Sequence, residues 1–271
     1  MAAPVRTQTD PEPEAEVPSG VRPKAIGDGV THIALPTPQI SARRLADYMS
    51  ASPIRQRTLI RDTKYRTVEP EISYAEGFDI LGEMIADGPL VTDVLKDAAD
   101  HFYDRMDIRG ARERIRLDLI GDMFEWLADN RPDFQLPDDA DRYDTSRLWG
   151  RGGDFMLGGV LIEPEVHFRL RKMKRNAAAI GVVTLRYSKN TPLKPDVAEW
   201  QSALLLGYLN ATVDDEGLRP DPDLCLTLDL LTGTAHPAPG RSRTLLNQME
   251  AACASIAERW PNIAPPPKAV L

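Results

Sequence analysis

Near residue 158 the spacing of apolar residues changes from a period of about 3.6 to a period of 2, so helices must precede strands in this chain. Upstream, Ser41 reads as the cap of a helix with Leu45, Tyr48 and Met49 inward, and Pro53 suits the first turn of a second helix running through Arg66. Phe78, Leu81 and Ile85 recur at helical spacing from Tyr74 to a stop at Gly88. Thr92 opens a further helix (Leu95, Ala98, Phe102), and a longer one over about 111–129 turns Ile115, Leu119, Met123, Trp126 and Leu127 inward. These segments predict a helical layer with one apolar face.

Downstream, Val166, Phe168 and Leu170 alternate with Glu165, His167 and Arg169, predicting a strand with one buried and one polar face. RKMKRN reads as a basic turn into a second strand, Ala179 to Tyr187, and the two should pair as an antiparallel hairpin. A helix from about Pro195 to Asn210 buries Val197, Trp200, Leu204 and Tyr208; Leu224, Leu226, Leu228 and Leu230 alternate in a third strand. A last helix, about 241–259, uses Leu245, Met249, Ala252 and Ile256 and ends at Trp260-Pro261. The order predicts an α+β (mixed α/β) fold, an N-terminal helical layer packed with a small central sheet of antiparallel hairpin plus flanking helices.

Residues 1–28 are rich in proline, glutamate and small residues, the composition of a disordered acidic tail. One folded body follows over 29–263, divided into the helical layer 29–130, a loop 131–158 and a sheet-bearing half 159–263, with 264–271 a loose tail. Gly150, Gly152 and Gly153 in that loop read as a connector, since nothing after them starts the helix that a phosphate-cradling loop requires.

With 42% hydrophobic residues the body can build a real core. No apolar run reaches about 18 residues and the N-terminus lacks the basic-then-apolar order of a signal peptide, which predicts a soluble, cytoplasmic protein with no membrane partner. Cys225 and Cys253 cannot complete a four-ligand zinc site alone, and His32, His101, His167 and His236 are scattered. A structural metal is therefore not expected. The chain has no GxxxxGK[ST], GxSxG, HExxH or paired CxxC motif, which removes most familiar enzyme classes.

The second half resembles the PD-(D/E)XK, or restriction-endonuclease-like, superfamily, in which an acid on one strand faces an acidic-x-Lys motif on the next. GGVLIEPEVHF offers Glu163 and Glu165 at the first position. AEWQSALLLGYL supplies Gln201 and Tyr208, more widely spaced than the QxxxY of RecB-like exonucleases, and YAEGFDILGEMI, with Glu76 and Glu83, stands where the family has its N-terminal core helix. The resemblance implies a nucleic-acid-associated protein from a defence or mobile-element setting. It assigns Glu163 and Glu165 as ligands of Mg²⁺ or Mn²⁺, with Thr184, Arg186 and Gln201 beside them as catalytic positions. GVVTLRYSK departs from the pattern: Thr184 and Arg186 stand where the acid and lysine belong, and an arginine does not give up its proton near neutral pH. A degenerate, non-cleaving member is the expectation.

The same polar residues also fit a plain alternative, the solvated face of a hairpin. Charge leaves a similar choice. The net charge of −8 repels a polyanion, so DNA or RNA must be met by a local patch. Two basic clusters qualify: Arg43, Arg44, Arg55, Arg57, Arg61, Lys64 and Arg66, and then Arg169, Arg171, Lys172, Lys174 and Arg175, with Lys189 just past the second strand. The alternative is a non-enzymatic scaffold whose charged helical layer holds a protein partner.

Overall fold

All ten residues from Ala178 to Tyr187 are buried, so the fold must cover this strand on both faces. The computed structural model describes residues 30–68, 73–108, 110–143, 155–174, 177–189, 191–213 and 217–271, and it places helices on either side of a sheet. The first half runs β1 (His32–Ala34), β2 (Gln39–Ser41), α1 (Ala42–Met49), α2 (Pro53–Lys64), β3 (Tyr65–Thr67), α3 (Ala75–Asp87), α4 (Thr92–Asp104) and α5 (Ala111–Asn130). Short strands β4 (Asp141–Tyr143), β5 (Phe155–Leu157) and β6 (Val160–Glu163) lead to the hairpin of β7 (Phe168–Lys174) and β8 (Ala177–Arg186). Then come α6 (Pro195–Thr212), β9 (Leu218–Pro220), β10 (Leu226–Asp229), β11 (Ala235–Pro237) and α7 (Ser242–Arg259). Among the described residues this is a mixed α+β architecture of helices and several sheets, with no barrel.

The main sheet has the order β11-β10-β8-β7-β4, with β9 also on β8. β7 and β8 pair antiparallel as predicted, Phe168 opposite Val183, and β10 returns from α6 to lie parallel to β8, Thr227 opposite Thr184. On one face Phe168, Leu170, Val183, Leu185 and Tyr187 meet Phe78, Leu81 and Ile85 of α3, Phe102 of α4 and Phe124 of α5. On the other, Val182 meets Leu205, Tyr208 and Leu209 of α6. α6 packs in turn against α1, α7 and the small sheet β2-β6-β5 through Leu204, Leu45, Met249 and Ile162. Each such side chain contributes about 1.5–3 kcal/mol when fully buried.

Local signals place most helices. Ser41 accepts a hydrogen bond from the Arg44 N–H (3.3 Å) at the start of α1, and Ser52 accepts one from the Arg55 N–H (3.4 Å) with Pro53 in the first turn of α2. Several expectations need correction. α2 stops at Lys64, and Tyr65 to Thr67 form β3 on β1. The predicted single helical layer is two: α3, α4 and α5 cover one sheet face, while α1 and α2 join α6 and α7 on the far side. Ile115 is half exposed, because the buried stripe of α5 runs through Leu117, Ile120, Met123, Phe124 and Leu127.

The polar face expected of the hairpin is also buried: Arg169 is fully buried and Thr184 and Arg186 nearly so on the side that α6 covers, while His167 is buried against Phe78 of α3. Within the loop 131–158 the described part holds β4 and β5; residues 144–154, with Gly150, Gly152 and Gly153, lie outside the described residues, as do the predicted tail 1–28 and Arg175. His236, on no predicted element, sits in β11 opposite Thr227. The C-terminal segment is not loose: Val270 accepts from the Thr31 (2.9 Å) and His32 (3.1 Å) N–H groups.

Lys64 shows why that corner is fixed. It is buried, and its ammonium donates to the carbonyls of Trp260 (2.6 Å), Ile263 (3.1 Å) and Pro261 (3.3 Å), capping the end of α7. Lys64→Met keeps the aliphatic stem but removes three charge-assisted bonds, leaving Ile263 only the Tyr65 hydroxyl (2.7 Å), so unfolding stability by urea denaturation should fall by roughly 2–3 kcal/mol. A loss within experimental error would show that water replaces the ammonium.

Candidate functional site

The chain leaves β6 at Glu163 and does not enter β7 until Phe168, and this four-residue link builds the site. Glu165 lies in the left-handed region at φ 53°, which costs a non-glycine residue on the order of 1–3 kcal/mol. What holds it there is the start of α1: its carboxylate accepts from the Arg43 N–H (3.4 Å) and bonds Ser41. A carboxylate at a helix N-terminus is favoured by the exposed N–H groups. From the other side α3 presses close at Gly82, where a Cβ would stand 2.5 Å from the His167 carbonyl oxygen.

Behind the link, His167 is buried, accepts from the Leu185 N–H at Nδ1 (3.0 Å) and packs edge-on against Phe78. Its acceptor role fixes the neutral tautomer with the proton on Nε2. Burial first, then the positive charge of Arg43, push its pKa down to about 3.

In front of the link opens a cleft of about 810 Å³ with Arg43, Arg44, Arg55 and Arg66 on its walls together with Asp47, Asp62, Asp79, Glu163 and Glu165. Most of these carboxylates are engaged. Glu163 accepts from Gln39, Asp62 from Arg61, and Asp47 from Arg186 at 2.6 Å. Solvent reaches Glu165 through the cleft mouth, yet the crowded walls raise its pKa, while Arg43, Arg186 and Ser41 oppose the rise. Arg43 is pushed the other way, first by burial and then by Arg186, with Glu165 and Asp47 holding it up.

The sequence-predicted residues thus divide. Glu165 and Arg186 come together around Arg43, whereas Glu163 ends a strand of the small sheet, which β7 does not join. Thr184 and Gln201 lie in the interface between the main sheet and α6: the Gln201 amide donates to the Thr184 hydroxyl (3.4 Å), and both are buried away from any cleft wall. Tyr208 bonds Arg169 in the same layer. Of the basic residues, Lys64 and Arg169 are inside the protein, Lys172 pairs with Asp139, Arg61 with Asp62 and Lys189 with Asp122. Arg171 is half-buried on β7, next to Lys172, and Lys174 ends that strand. Arg55, Arg57 and Arg66 are exposed on α2 and β3, with no acidic partner among the described residues.

The implied divalent ion does not fit this donor set. Glu163 and Glu165 stand on different supports with their oxygens already accepting, two guanidiniums occupy the neighbourhood, and the described residues contain no group of three acid, histidine or cysteine side chains able to hold a metal. What the arrangement offers is fixed cations around a carboxylate at a helix start. Sequence reasoning missed Asp47 as a site residue, although an acid next to a run of arginines was an available signal. Compared with known proteins, the chain matches no family model and no curated sequence.

His167 supplies a pH test. The folded ring stays neutral while an unfolded histidine protonates near 6.5, so its contribution is complete above about pH 6.5 and is lost as the pH falls toward 3. Unfolding free energy should drop by about 2 kcal/mol from this group between pH 6.5 and 5, and His167→Gln should flatten that part of the profile. Parallel profiles for the two proteins would assign the acid sensitivity elsewhere.

Proposed function

We propose that the protein binds nucleic acid through the arginine-bearing cleft and does not cleave it. The observation that carries this is the set of exposed arginines, Arg55, Arg57 and Arg66, on α2 and β3, two of which wall the same cleft as Arg43. Cations without acidic partners among the described residues, beside a concave surface, are what phosphate contact requires of a chain whose net charge is otherwise negative. The likeness to restriction-endonuclease-like proteins fits this reading in a degenerate form. An antiparallel hairpin is followed by a helix packed on it and a parallel strand, while guanidiniums sit where that chemistry needs a second carboxylate and a lysine.

A second reading rests on α4, where Asp93, Asp97, Asp100 and Asp104 are all exposed at helical spacing. That stripe repels phosphate and suits a basic protein partner.

Titrating the full chain with single- and double-stranded DNA and RNA across salt, with and without Mg²⁺, separates the two. The cleft reading expects affinity that falls steeply with salt, no cleavage with either Mg²⁺ or Mn²⁺, and a salt slope lowered by about 2 in Arg55→Gln/Arg66→Gln. Absence of binding at low salt sinks it and leaves the protein-partner reading.

A further inference from the structure

A second cavity, about 370 Å³, lies between the end of β8, α1 and the start of α6, and two polar groups around it lack partners among the described residues. Arg186 is only 8% exposed; its Nη2 donates to Asp47 at 2.6 Å, but its Nη1 has no partner there. The buried Ser50 hydroxyl has none either. Both residues line this cavity. A buried polar group left without a partner is costly, and two on one cavity point to an acceptor that supplies the missing bonds.

The charge of the walls says what kind. Arg43, Arg186 and Lys194 outnumber Asp47 and Asp229, and Asp229 is held by the protein's own donors, accepting from the Leu193 N–H (3.0 Å), the Leu231 N–H (3.1 Å) and the Thr232 hydroxyl (3.0 Å). α6 begins at this cavity with Lys194 and Pro195, and no side chain caps its first turn. An uncapped start on a helix of 18 residues adds positive potential to the same place.

We propose that this cavity binds a phosphate monoester. Guanidinium, ammonium and hydroxyl donors disposed around one space match the several oxygens of a tetrahedral dianion better than a planar carboxylate. The apolar part of the wall, Ala51, Pro192, Leu193 and Val197, and a volume larger than phosphate alone leave room for an organic group. Two sources carry this chemistry, a free phosphorylated small molecule such as a nucleotide and the terminal phosphate of a nucleic-acid strand. The cavity shares Arg43 and Asp47 with the large cleft, so either can reach it. The proposal does not depend on the cleft's binding a phosphate backbone.

The test is calorimetric titration of the full chain with inorganic phosphate and a nucleoside 5′-monophosphate, and with matched oligonucleotides carrying a 5′-phosphate or a 5′-hydroxyl. Wild type should bind the monophosphate, and Arg186→Gln should weaken it about tenfold or more. Ser50→Ala, which removes only an unpartnered hydroxyl, should weaken it about three- to tenfold with thermal stability unchanged or raised. It keeps the test decisive if the arginine variant fails to fold. Preference for the 5′-phosphorylated oligonucleotide identifies a strand end as the source; monophosphate binding without that preference identifies a free ligand. Monophosphate binding without any oligonucleotide binding supports this site and removes the cleft reading. No binding of phosphate or monophosphate, or undiminished binding by Ser50→Ala, overturns the proposal.

Discussion

Burial of β8 on both faces is the constraint from which the rest of the site follows. A strand covered by α3, α4 and α5 on one side and by α6 on the other cannot leave a polar side chain unsatisfied without cost. On the α6 side this forces a layer of paired polar groups: Arg169 with Tyr208, Thr184 with Gln201, and Ser202 within 2.8 Å of the Thr227 hydroxyl while donating to the His236 carbonyl. Arg186 is the last of this series. It leaves the sheet where α6 begins and meets Asp47 of α1, so the end of β8 sets where the charged groups of the site converge.

The site is therefore built for electrostatics. Glu165, Arg43, Arg186 and Asp47 alternate in sign across the junction of the link, α1 and β8, each moderating its neighbours' charge. Such an arrangement holds an anion by fixed cations and helix starts and offers no empty set of carboxylates for a divalent ion. The strained φ of Glu165 fits this account, since the surrounding bonds hold the carboxylate at the start of α1.

Much of the fold was legible because local chemistry and periodicity agreed. Ser41, Pro53, Gly88 and Thr92 marked helix ends that packing did not override, and the period-2 pattern after residue 158 predicted the hairpin, though not its full extent. The site was legible only in part. Alternating polar residues on β7 and β8 have the same pattern whether they face water or a covering helix, so nothing in the sequence separated a solvated face from the buried layer of Arg169, Thr184 and Arg186. Lys64 reads as a surface cation until the carbonyls at the end of α7, nearly 200 residues away, are seen to surround it. Glu163 and Glu165 both looked able to supply the first acid of the motif, but the turn at Glu165 sends β6 and β7 into different sheets. Three-residue strands such as β4 and β11 are too short to show a period at all.

The claim that joins these observations is that the surface around the link 163–167, α1 and α2 is where nucleic acid is met. Hydrogen exchange of backbone amides in the free and nucleic-acid-bound protein reads this directly. Protection on binding should concentrate on residues 41–66 and 163–167, with α4 unchanged. Protection centred on α4, or none in the link and α2 at saturating nucleic acid, would contradict the account.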